Sequence, residues 1–474
     1  MLYRLIAERR ATFEQVGAAH GSLPRFVTDA FERFLRCGVP PHGFARFRCP
    51  DCRHEHLVPL SCKTRGLCPS CDGRRMGELT RHLLTRVLPV APVRQWVLTL
   101  PPPLRYRLAY DHELCTAVHR IPARAVQSYL KRSARRRGDK QVRTGSVTFV
   151  QRYGGGLNLN VHFHQIALDG WFRQAATGSL AFVHAPTPPQ DAVEAVLLRM
   201  YRRVLRLLNA RGLLDESMHD RTSDVSPMLA VCYEDAVTQR MALGPRRGRP
   251  VLRLRDSFLE TLSSASERVE ASSKLCAYLD GFDLHARVTV SAHARHRLEE
   301  LVRYCARPAL ANDRLSKQPD GHYLLRLRTP YRDGTTHLVF EPIELMERLA
   351  AQIPKPRVNL ILYAGALAPN AKLRKQVVGY GRTLEKEEPR AAQAEHQPSR
   401  ADRSTWAELM RCTFGLDMLA CLKCGGRLQL IATILDGRVV RRILEHLKRP
   451  SLPPDTAPAR DPPPFWGNVS MYGD

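Results

Sequence analysis

The chain has 474 residues, more than one ordinary core accommodates, so two or three domains are expected. Its 73 Lys+Arg against 46 Asp+Glu leave a formal net charge of +27, which calls for a polyanionic partner: nucleic acid first, an anionic membrane surface second. No run of about 18 apolar residues appears, and charges interrupt the N-terminus every few residues. A spanning helix and a signal peptide are therefore not expected, and a cytosolic protein is. In a reducing compartment, thirteen cysteines point to metal or burial rather than to disulfides.

The apolar positions of Ser22–Arg36 recur at helical spacing, with Pro24 near the start and Cys37-Gly38 at the end. Two hooks follow, Cys49-Pro-Asp-Cys52 and Cys68-Pro-Ser-Cys71, with fifteen residues between them. This spacing predicts one four-cysteine zinc ribbon, each hook turning sharply enough to aim two thiolates at a tetrahedral ion. Cys37 and Cys62 are left over, as core residues, substitute ligands or part of a second site. His54-Glu-His56 lacks an apolar centre and reads as a solvated turn. Residues 1–80 are taken as this zinc-binding domain, whose arginines form either a phosphate-contacting or a merely solvated face.

A second domain is expected over 90–345. Gln95–Leu100 reads as a strand stopped by three prolines, and a helix begins near His112, broken or kinked at Pro122. That helix ends in a basic cluster containing Arg135, Arg136 and Arg137. Ser146–Arg152 and Asn158–Phe172 are β-prone runs joined by Gly154-Gly155-Gly156, which predicts an antiparallel hairpin. The second run holds His162 and His164 with Phe163 between them. On a strand the two imidazoles share a face, and Phe163 points the other way. Two neutral imidazoles side by side can take up a divalent ion; the plainer alternative is a pair hydrogen-bonded on a half-buried strand. Ala192–Arg211 is an amphipathic basic helix ended by Gly212. His296–Ala306 is helical and places Tyr304 between Arg303 and Arg307, just before Pro308. A phenol of pKa near 10 needs help to act as a nucleophile, and cations supply it. The strand–helix alternation with an antiparallel hairpin predicts an α+β fold.

Residues 346–474 form a C-terminal region. Glu341–Ala351 reads as a helix leading into it, Val358–Tyr363 as a strand, Arg382–Ser404 as a polar linker, and Trp406–Leu419 as a helix. Cys421-Leu-Lys-Cys424-Gly-Gly is a single hook, half of a second zinc site that Cys412 or His446 could complete. Residues 449–466 are proline-rich and read as an extended tail.

Taken in order, these segments resemble the rolling-circle transposases of the insertion-sequence-91 type, within the superfamily of HUH (His-hydrophobic-His) endonucleases. The likeness runs through the cysteine-rich start, QWVLTLP, VTFVQRYGGGLNLNVHFHQIALDG, GFDLHARVTV, LVRYCARPALANDRL, YAGALAPNAKLR and the late CLKCGG. The resemblance implies an HUH nuclease domain with a central antiparallel sheet flanked by helices. His162 and His164 would hold catalytic Mg²⁺ or Mn²⁺, and Tyr304, ahead of Arg307-Pro308, would be the nucleophile. Glu300 occupies the position of a second tyrosine, which implies the single-tyrosine branch. Gln151 and His285 are candidates for a third metal ligand.

The implied reaction is transesterification on single-stranded DNA through a 5′-phosphotyrosine. The partners are DNA at the element ends and at the target, with host helicase or replication machinery, since no GxxxxGK[ST] loop for a fused helicase is present. Arg135, Arg136, Arg137, Arg303 and Arg307 are the candidate DNA contacts, structural Zn²⁺ the second cofactor, a bacterial cytoplasm and its nucleoid the expected location, and a dimer one assembly that would suit paired ends. The competing readings are a rolling-circle replication initiator or relaxase with the same site, and a zinc-ribbon DNA-binding regulator without chemistry.

Overall fold

The computed structural model describes residues 1–174, 178–214, 226–255, 275–382 and 417–453. Its central feature is a seven-stranded antiparallel sheet. The order runs Cys276–Leu279, Phe282–His285, Val93–Thr99, Leu159–Leu168, Gly145–Tyr153, Ile361–Gly365, with Thr289–Val290 also pairing to Val93–Thr99. The expected hairpin is present, with Phe149 opposite His164 and Gln151 opposite His162. Its loop is closed by the Gly154 amide donating to the Asn158 carbonyl, with Leu157 left-handed at φ 56°.

The histidine strand is buried on both faces, so alternation assigns its side chains to two different cores. Phe163 points toward the long helix His112–Arg136 and stacks on His119, ring centroids 5.2 Å apart. That helix is continuous. A proline in a helix interior costs about 3 kcal/mol, but Pro122 does not break this one. Leu114, Val118, Ile121, Ala125, Val126 and Leu130 bury its apolar stripe on both sides of the proline, and tertiary packing overrides the local preference. The other face carries Val147, Phe149 and Ile166, which pack with Leu298, Leu301, Val302 and Cys305 of the helix Arg295–Ala306.

The boundary expected near residue 345 cuts through this domain. Ile361–Gly365, read as part of a separate C-terminal region, is an edge strand of the central sheet beside Gly145–Tyr153. Farther on, Gln429–Ile434 pairs with Phe44–Arg48 at the other end of the chain and completes a three-stranded sheet with Glu55–Pro59. The N-terminal helix Leu2–Gly17 packs against Pro342–Gln352. Of these segments the sequence marked Val358–Tyr363 and Glu341–Ala351 as elements, but local pattern carried no information on their partners. The polar linker after Arg382, the stretch from Trp406 to residue 416, Cys412, and the tail beyond residue 453 lie outside the described residues. Among the described residues no helix is long and apolar enough to cross a membrane.

A buried ion pair ties the sheet together behind the site. The Arg94 guanidinium donates to both carboxylate oxygens of Asp169 at 3.0 Å and to the Ala286 carbonyl at 2.9 Å. It links Val93–Thr99 to the turn that ends the histidine strand, where a one-residue slip would turn both imidazoles to the wrong face. Asp169→Ala leaves the Arg94 charge buried and unpaired, so a loss of about 3–5 kcal/mol is expected in denaturant unfolding. An Arg94→Met/Asp169→Leu double variant should recover much of it.

Candidate active site and metal centres

His162 and His164 project from one face of their strand, with their Nε2 atoms 3.0 Å apart. Each ring is oriented through its other nitrogen. His162 Nδ1 lies 2.7 Å from the Asn160 carbonyl, which can only accept, so Nδ1 carries the proton and Nε2 offers its lone pair. His164 Nδ1 lies 2.9 Å from the side-chain amide of Gln95. Burial holds both imidazoles neutral. His162 is lowered to about 4 and His164 well below its ordinary value, in both by burial first, with Arg307 adding to each and the neighbouring His162 to His164. Neutral rings are the form a divalent cation binds.

Tyr304 comes to this pair from the last turn of Arg295–Ala306. Its ring meets that of His164 edge-on, centroids 5.5 Å apart and planes at 89°. The Arg307 guanidinium lies over the Tyr304 ring, 4.4 Å from its centroid. Gln151 fixes the position of the helix end. Its side-chain amide donates to the carbonyls of Tyr304 and Cys305 at 3.0 and 2.9 Å, while its Oε1 is buried without a partner. The Tyr153 hydroxyl donates to the Arg307 carbonyl just beyond. Glu300, one turn before Tyr304, pairs with His296 at 3.4 Å.

The other candidates lie elsewhere. His285 is two strands away from His164 and bonds Cys276 and Asp283 at 2.7 and 2.9 Å. Arg303 is engaged by Glu299 at 2.7–2.9 Å. Arg135, Arg136 and Arg137 are exposed at the end of the helix covering the Phe163 face, opposite the histidines. Sequence reasoning missed Arg105, Arg314 and Arg328. The charges of Arg105 and Arg307 both bear on His162, and Arg307 bears on Arg314 and Arg328. Burial and this company lower Arg314 to about 10. These cations are gathered at a cost to one another, and chain positions from 105 to 328 gave no linear signal of it.

The cysteines regroup. Cys37, Cys62, Cys68 and Cys71 form one set of four, and Cys49, Cys52, Cys421 and Cys424 another, the sulfurs of each set lying within 4.8 Å of one another. The single ribbon of Cys49, Cys52, Cys68 and Cys71 is thus corrected: its two hooks serve different clusters. Cys421 and Cys424 are completed by Cys49 and Cys52, not by His446. The Cys37 thiol lies 3.8 Å from both Cys68 and Cys71, and Cys62 lies 3.5 Å from Cys71. A tetrahedral ion with bonds of about 2.3 Å puts its sulfurs about 3.8 Å apart. Sharing of protons with Cys37 pushes Cys62 and Cys68 up, and the same contacts push Cys71 down. Four thiols competing for protons in this way fit a divalent ion.

Two family models match the chain. Residues 145–375 match a model described as "Putative transposase", and residues 8–100 match the transposase zinc-binding domain of the insertion-sequence-91 type. The two matches, in this order along one chain, are those of a transposase of the insertion-sequence-91 type. The first match takes in His162, His164, Gln151 and Tyr304; the second takes in all four cysteines of the first cluster and Cys49 and Cys52 of the second, in keeping with structural zinc. No curated protein and no solved structure matches the chain. Because Cys37 and Cys62 belong to the first cluster, Cys62→Ser in the transposase is expected to lose one equivalent of zinc, as Cys68→Ser does. Elemental analysis of the purified variants checks this.

Proposed function

We propose that this transposase nicks and rejoins single-stranded DNA at element ends through a 5′-phosphotyrosine on Tyr304, with Mg²⁺ or Mn²⁺ held by His162, His164 and Gln151. The observation that carries the reading is the Tyr304 ring set against His164 and beneath the Arg307 guanidinium. The donor set suits a hard-to-borderline divalent ion: two neutral imidazoles with converging Nε2 atoms, and a buried amide oxygen with nothing to accept from. When bound, the ion polarises the scissile phosphate and favours in-line attack.

The chain's own residues supply the rest. Arg307 and its neighbours Arg105, Arg314 and Arg328 seat the phosphate beside Tyr304. The tyrosyl oxygen bonds to phosphorus, the bond to the 3′-oxygen breaks, and the phenolic proton ends on the departing 3′-hydroxyl. The phosphodiester energy is kept in the protein–DNA bond, so a 3′-hydroxyl of another strand can reverse the step and join DNA without ATP. Gln95 acts through His164. With its NH₂ toward Nδ1 it leaves the proton on Nε2; turned over, it accepts from Nδ1–H and frees Nε2 for the ion. The paired ends and target would be single strands exposed by host helicase or replication, in the bacterial cytoplasm. A replication initiator or relaxase would share the tyrosine and the metal pair. The zinc-binding transposase domain favours paired element ends as substrate over one origin.

Incubation with end-derived single strands and Mn²⁺, followed by peptide mapping, should find the conjugate on Tyr304. Tyr304→Phe should bind DNA and form none; an adduct on Tyr153, Tyr331 or Tyr363 would sink the assignment. Gln95→Leu should weaken Mn²⁺ binding by about 10–100-fold in calorimetry while single-strand binding persists. Arg328→Ala should weaken binding across sequences and lower the slope of log affinity against log salt by about one.

A further inference from the structure

The zinc-binding family match ends at residue 100, yet half of the second cysteine cluster comes from more than three hundred residues later. The Cys49 and Cys424 sulfurs lie 3.5 Å apart, as do those of Cys52 and Cys421. Both hooks are built as knuckles. The Cys49 carbonyl accepts from the Arg53 amide, and Arg53 is left-handed at φ 58°. The Cys421 carbonyl accepts from the Gly425 amide, with Gly425 at φ 73°. A small apolar core of Cys49, Cys421 and Leu428 surrounds the cluster.

Three further features join the same two ends of the chain. Gln429–Ile434 zips onto Phe44–Arg48 from Phe44↔Ile434 to Arg48↔Gln429. The helix Gly437–His446, capped by the Asp436 carboxylate, buries Val440 and Leu444 against Phe44 and Leu57. Two glycines lie where a Cβ would collide with the opposite segment. A Cβ on Gly426 would fall 2.1 Å from an Asp51 carboxylate oxygen, and one on Gly43 would fall 2.9 Å from the Ile434 carbonyl. The close approach is therefore written into both segments, not into the cysteines alone.

We propose that Cys49, Cys52, Cys421 and Cys424 form a split tetrathiolate site that takes one zinc ion and clasps residues 417–449 onto the N-terminal module, making the C-terminal segment an integral part of the zinc-binding domain. A four-thiolate set suits zinc over harder cations. The sheet and apolar contacts of the clasp are small by themselves, and closing so long a loop costs entropy that metal binding offsets. Each hook alone supplies two ligands, so removing either hook empties the site.

The test is the zinc content of the full-length protein purified under reducing conditions. The unaltered chain should hold two equivalents. Cys421→Ser/Cys424→Ser, Cys49→Ser/Cys52→Ser and the variant with all four changes should each hold one, because the two hooks share a single ion. A C-terminal double variant that retains two equivalents overturns the proposal, as does a quadruple variant that holds fewer than either double. Cobalt substitution gives a second readout that does not depend on the variants folding well. The unaltered chain should show tetrathiolate absorption for two ions per molecule. A protein that takes up one cobalt while Cys49–Cys424 and Cys52–Cys421 resist alkylation as disulfides overturns it equally.

Discussion

The arrangement of the site depends on one side chain, Gln151, whose amide reaches across from the hairpin to hold the end of the Arg295–Ala306 helix. Two donated hydrogen bonds to consecutive carbonyls catch the helix where its own ladder has run out of donors. Tyr304 is one of the residues so caught. The same amide leaves its oxygen buried and unpaired beside His162, at a cost of about 1–3 kcal/mol if nothing else satisfies it. The bonds that hold the tyrosine helix and the unpartnered oxygen belong to one planar group, so neither can move without the other.

Around this contact the sheet serves two interiors. Phe163 and His119 stack within the core under the long helix, where burial lowers His119 to about 4 and keeps it uncharged. Residues one position away on the same strand face the tyrosine helix. The separation lets two imidazoles face each other from a strand that is otherwise fully packed, apart from the main core. The Arg94–Asp169 pair lies at the far end of the histidine strand and fixes which residues face which way. Arginines dominate the histidine side because they stay charged when partly desolvated, which lysines do less well. Much of the net charge of +27 is spread over the surface, but the cations that bear on His162 and Tyr304, Arg105, Arg307 and Arg328, come from three separate segments.

The zinc-binding module shows the same dependence on distant chain. Its first cluster gathers Cys37 and Cys62 with one hook, and its second pairs the other hook with the late one. Sequence spacing suggested the simplest closure, two adjacent hooks on one ion. The short paired strands Phe44–Arg48 and Glu55–Pro59 flank the first hook and carry it at their turn, apart from the helix Pro69–Arg86, whose first turn carries Cys71. Hook identity was legible; hook pairing was not, because a CxxC turn carries no information about which other turn it will face.

The sequence by itself determined the α+β class, the histidine hairpin, the tyrosine helix and the cysteine hooks, since each rests on local periodicity, turn chemistry or ligand spacing. It identified His162, His164 and Tyr304 as a set through resemblance, and Gln151 as one of two options for a further ligand. Only the tertiary structure set Gln151 opposite His162 and placed His285 two strands away from His164, because a strand's neighbours in a sheet are not its neighbours in the chain. It alone joined Arg105, Arg314 and Arg328 to Arg307, returned Ile361–Gly365 to the central sheet, and paired Cys49-Cys52 with Cys421-Cys424. Those outcomes depend on long-range strand pairing and shared burial, which local patterns permit but do not specify.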